Sequence, residues 1–133
     1  VKFVIGDNAD FIDRFVALER RVRTLELRQR AYLETTIVAG EFDDSTVIPP
    51  FFTPFGGAVV AVYHQTLNGS IEIRSWRGAD VSPFVTFTAD TSPTLVDLDE
   101  PKELNEGDTV STVPWSVVSG TPEGLSVGYV IEL

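Results

Sequence analysis

The chain has 133 residues, 43% of them hydrophobic, with 20 acidic against 10 basic side chains and a net charge of −10. That balance excludes the basic footprint a nucleic-acid binder needs, and the absence of cysteine excludes disulfides, thiol catalysis and thiolate metal sites. One histidine cannot build a multi-histidine centre, and no run reaches the ~18–20 apolar residues of a membrane-spanning helix.

Charge divides the chain. Residues 1–33 carry seven basic and five acidic groups, whereas residues 34–133 carry three basic groups (Arg74, Arg77 and Lys102) and fifteen acidic ones. Glycine and proline concentrate in the second part, where every proline falls after Thr46. A boundary near Glu34–Thr36 is predicted, with an apolar segment at 1–6, a helix at 7–34 and a β-sandwich domain at 35–133.

Val1–Ile5 is a short, strand-like apolar run that ends at Gly6. No secretory signal pattern opens the sequence. Asp7 can cap the helix that follows, and Asp10 and Asp13 place negative charge at its positive end. Phe11, Phe15, Leu18, Val22, Leu25 and Tyr32 then recur at alternating four- and three-residue steps. This is a heptad seam, with Asn8, Phe15, Val22 and Gln29 at a, and Phe11, Leu18, Leu25 and Tyr32 at d. Residues 8–33 would form a rod of about 39 Å.

Arg14 and Arg21 fall at g, and Glu19 and Glu26 at the following e, so that parallel neighbours would pair Arg14 with Glu19 and Arg21 with Glu26. A forked guanidinium can reach a carboxylate while its methylenes cover the apolar seam. The spacing Arg21-Val22-Arg23-Thr24-Leu25-Glu26 matches a pattern of short three-stranded parallel coiled coils, and residues 14–19 repeat it with Phe15 in the aliphatic place. A homotrimer is expected, with a dimer second. So short a seam is marginal alone, and a second contact between chains is expected from the C-terminal part.

From residue 35 the pattern is β. Strands are predicted at Thr35–Phe42, Gly57–Leu67, Ser70–Trp76, Phe84–Ala89 and Thr94–Leu98, then across Val110–Val118 with a break at Pro114, and at Leu125–Leu133. Asn68-Gly69 predicts a hairpin. The last strand places Leu125, Val127, Tyr129, Ile131 and Leu133 on one face. Pro49–Phe55 reads as a stiff aromatic connection. Seven short strands predict a mainly β fold: an antiparallel, jelly-roll-like β-sandwich behind a parallel trimeric coiled coil.

Catalysis is not expected, because His64 lies within a strand with no triad pattern around it. No cofactor and no metal are expected. Asp97, Asp99 and Glu100 offer clustered oxygens of the kind Ca²⁺ takes, but without the ligand ladder of an EF-hand, and a solvated acidic loop is the expected reading. With Ile71 and Ile73 inward, Glu72, Arg74 and Trp76 share the outward face of one strand. Arg74 and Trp76 are therefore the candidate ligand face, against the alternative that Trp76 is buried between subunits.

The repeated Arg14–Glu19 and Arg21–Glu26 pattern, leading directly into a small acidic sandwich, resembles the trimeric virion proteins of tailed bacteriophages. The resemblance implies a non-enzymatic structural protein of the minor tail or tail-fibre type, located in the virion. Its partners would be two copies of itself, other tail or capsid proteins and a host-surface glycan or protein. It also implies that Phe3, Val4 and Ile5 attach to the particle while the sandwich faces outward. The alternatives are a capsid decoration or head-fibre protein and, in another class, a trimeric recognition domain of the C1q and tumour-necrosis-factor kind.

Overall fold

The computed structural model describes residues 12–20 and 31–133. Residues 12–20 form one helix, α1, with neither glycine nor proline. All nine of its side chains are exposed, Phe15 at 57% and Leu18 at 58%. Arg14, Phe15, Leu18 and Glu19 are the members of the predicted seam that lie on α1. Phe11, Arg21, Val22, Leu25 and Glu26 lie outside the described residues, as do Phe3, Val4 and Ile5. A coiled coil is not shown by α1 alone.

The boundary between two compact units falls at Ala31/Tyr32 rather than near Glu34–Thr36. Strand β1 spans Ala31–Glu41, so Tyr32 belongs to a strand and packs against the sandwich core instead of extending the seam. The alternating, β-branched run from Tyr32 to Val38 explains why the heptad period ends here.

The second unit is mainly β. Its other strands are β2 (Phe51–Phe52), β3 (Gly57–Gln65), β4 (Asn68–Arg77), β5 (Val85–Ala89), β6 (Thr94–Leu104) and β7 (Thr109–Glu132). They form one sheet with the order β5-β4-β7-β3-β6, and β1 and β2 both pair with β7.

The predicted hairpin at Asn68-Gly69 does not form. β3 and β4 do not pair with each other; both pair antiparallel with β7, which runs the length of the two. Val127 lies opposite His64 and Val113 opposite Arg74. A type I′ hairpin needs positive φ at both central residues, and only Gly69, at φ +69°, has it. The chain therefore passes through a corner at Asn68-Gly69. β7 bends beside it at Gly120 and Gly124, whose φ values are +64° and +65°.

The corner folds the sheet over itself and encloses the core. Ile71, Ile73, Phe87 and Val110 come from one side of the bend, and Val59, Val62, Leu125, Val127, Tyr129 and Ile131 from the other. The alternation predicted for the last strand is present from Leu125 to Ile131, each fully buried, whereas Leu133 is half exposed. Pro114 does not break β7. It is buried opposite Ile73, where a shift in register accommodates a residue with no amide hydrogen.

Candidate functional site

Strand β4 alternates as its sequence requires. Ile71, Ile73 and Ser75 are buried, while Glu72, Arg74 and Trp76 lie half-buried on the opposite face. Glu72 and Arg74 form an ion pair at 3.2 Å, and Arg74 Nε donates to the same carboxylate oxygen at 3.3 Å.

The sequence offered no signal for the residue that completes this face. The β4–β7 register steps from Glu72↔Ser116 to Ile73↔Pro114, leaving Trp115 as the extra residue of a bulge. A bulge re-aims its side chain. Here the Trp115 ring lies 4.0 Å beneath the Arg74 guanidinium carbon and 5.8 Å from the Trp76 ring, centroid to centroid, at an interplanar angle of 43°. Arg74 is thus held by a carboxylate and an aromatic face together. Trp115 remains 46% exposed.

A second charged cluster stands at the end of β4. Lys102 Nζ and Arg77 Nε reach Asp80 at 3.1 and 3.2 Å, and Arg77 also donates to the Glu103 carbonyl oxygen at 3.0 Å. The hydrogen bonds from Lys102 and then Arg77 hold the Asp80 carboxyl below the usual carboxylate range. All three basic groups of residues 34–133 are therefore matched by a carboxylate.

His64 is 3% exposed, and its ring stacks on Phe87 at 4.4 Å and 13°. Its Nδ1 has no hydrogen-bond partner among the described residues. Burial lowers its pKa from 6.5, and the charge of Asp90 partly opposes that shift. A buried imidazole stacked in this way is a core residue.

The acidic stretch lies on β6 and not in a loop. Asp97 pairs in register with Ala61, whereas Asp99 and Glu100 fall between the two paired segments of β6. With Phe84 and Val85 they line an open groove of about 440 Å³. No three such side chains converge as a metal site among the described residues.

A polar cluster lies within the core of the β unit. The Tyr129 hydroxyl lies 2.6 Å from Ser75 Oγ and 2.5 Å from Thr112 Oγ1, all three side chains being buried, and the Phe51 and Phe84 rings flank the tyrosine at 5.4 and 6.4 Å. Burial raises the tyrosine pKa, and the two hydrogen bonds only moderate that rise. The cluster ties the two sides of the bend together and does not reach solvent.

No protein-family model matches this chain, and no curated protein matches it. Among solved structures, the globular domain of zebrafish complement 1qA is similar at 13% identity, covering 78% of this chain and 96% of that one, with a TM-score of 0.48. A structure of Bacillus endospore appendages is similar at 11% identity, covering 77% and 88%, with a TM-score of 0.40. The Tobacco streak virus coat protein is similar at 12% identity, covering 78% and 87%, with a TM-score of 0.30. Likenesses this weak establish neither a shared family nor a shared function.

Proposed function

We propose that this chain is a non-enzymatic structural protein of a tailed-phage particle. It acts as a parallel homotrimer of the minor tail or fibre type, whose β domain faces outward. The observation that carries the reading is the twice-repeated Arg14–Glu19 and Arg21–Glu26 spacing around the seam, with the apolar Leu18 more than half exposed on α1. Apolar residues at heptad spacing lower their free energy by packing into neighbouring helices. The placement on a phage particle comes from the resemblance of that pattern to trimeric virion proteins. Burial of His64 against Phe87 supports the non-enzymatic part.

In this reading Phe3, Val4 and Ile5 attach to the particle, and deleting residues 1–6 leaves the seam and the β domain complete. The truncated protein should keep the mass of the full-length assembly and fail to join particles, as scored by mass spectrometry of purified virions. Incorporation at the full-length level contradicts the attachment role. Absence of the full-length chain from every particle of its source contradicts the virion assignment.

A further inference from the structure

The outward face of β4 and β7 gathers both tryptophans of the chain, Trp76 and Trp115, around the Glu72–Arg74 pair. Packing inside one chain does not account for this placement, because Trp115 is 46% exposed and a bulge turns it toward Arg74. Hydroxyls border the rings on the same pair of strands, with Ser111 opposite Trp76 and Ser116 opposite Glu72. We propose that this face binds a neutral saccharide, with the Trp76 and Trp115 rings taking the apolar C–H face of a pyranose and Glu72 and Arg74 taking its hydroxyls.

Three features select that class of ligand. Indole rings offer flat, polarizable surface that stacks on the C–H face of a sugar and leaves its hydroxyls free at the rim. Glu72 accepts hydrogen bonds and Arg74 donates them, and the two fix each other's orientation before any ligand arrives, which reduces the ordering cost of binding. The charge balance disfavours an anion. Arg74 is already matched by Glu72, no other cation of residues 34–133 lacks a carboxylate, and the domain carries a large acidic excess. The inference gives a ligand class to the outward display in the proposed function but does not need the trimer.

The test uses the purified full chain. Trp76 and Trp115 are its two tryptophans, so tryptophan emission, excited selectively over the three tyrosines, reports this face alone. The chain is titrated with the methyl glycosides of glucose, galactose, mannose and N-acetylglucosamine, and with cellotriose. At least one should change the emission saturably, with a dissociation constant of about 0.1–10 mM. Trp115→Ala or Arg74→Gln should weaken that binding by about tenfold, whereas the fully exposed Val81→Ala should leave it unchanged. Glu72→Gln should weaken neutral binding and introduce binding of glucuronate, because it leaves the guanidinium unmatched. No saturable response up to about 50 mM across the panel overturns the inference. So does acrylamide quenching that is low in the assembled protein and rises on dilution, since a neighbouring chain would then cover the rings. A trimer that ignores every sugar removes this inference alone, and a monomer that binds one supports it while contradicting the trimer.

Discussion

A side-chain carbon on Gly69 would stand 2.8 Å from the Thr121 carbonyl carbon, closer than any Cβ contact can be held without movement. The two strands cross the corner of the sheet at this point, and the backbone of Gly69 fits because nothing projects from it. Gly69→Ala therefore combines the strain of φ +69° with a clash against backbone. At Gly78, with φ +52° and open space around it, Ala meets the conformational strain alone, about 1–2 kcal/mol. Gly69→Ala should cost at least about 1 kcal/mol more, read as the difference between urea denaturation midpoints. Equal losses at the two positions would show that the corner is not close-packed.

That corner also shows where sequence reading stops. Leu125, Val127, Tyr129 and Ile131 were legible as one buried face because a strand with one dry side must alternate. Asn68-Gly69 forms a corner and not the predicted hairpin, because the dipeptide specifies a bend but not the partner across it, and the long pairing with β7 decides the outcome. Glu72, Arg74 and Trp76 were legible by phase. Trp115 was not, since a bulge is a mismatch between two strands and neither strand's sequence contains it. Tyr32 satisfied a heptad spacing by coincidence, and the same residue opens the alternation of β1.

Tyr129→Phe removes the hydroxyl shared by Ser75 and Thr112 and leaves two buried hydroxyls without that partner. The expected loss is about 1–3 kcal/mol in chemical denaturation. Replacing all three together, Tyr129→Phe with Ser75→Ala and Thr112→Val, should recover part of that loss because no polar group is then stranded. A triple variant less stable than Tyr129→Phe would contradict this account.

His64 makes stability depend on pH in a defined direction. Its folded pKa is lowered by burial, so the unfolded chain takes up the proton first as pH falls. Its contribution is complete above the unfolded value near 6.5 and is lost as pH drops from there through the lower folded value. His64→Phe keeps an aromatic partner for Phe87 and removes the titration, so the wild type should lose stability relative to the variant between pH 7.5 and 5. A constant difference across that range contradicts burial of the neutral imidazole. Asp43 and Asp80 act in a lower window. Hydrogen bonds from Ser45 to Asp43, and from Lys102 and Arg77 to Asp80, lower their folded pKa values below 3.8, so their stabilisation is present above that value and is lost as pH falls beneath it.

Charge and seam substitutions should separate by size. In the proposed trimer, Glu19→Lys with Glu26→Lys would oppose like charges to Arg14 and Arg21 of a neighbour, and exposed pairs of this kind contribute about 0.2–1 kcal/mol each, so the weakening should be modest and should change with salt. Leu18→Asp would place a carboxylate in the proposed seam and should dissociate such an assembly outright. A silent Leu18→Asp beside a severe charge swap would show that the register is wrong.

The proposed trimer is open to measurement through the mass of the purified chain, taken by light scattering behind size exclusion at micromolar concentration. The expected value is three times the 14.6 kDa of one chain, falling to one chain mass in Leu18→Asp while the β domain keeps its fold. A wild-type protein that elutes at the mass of a single chain would contradict it.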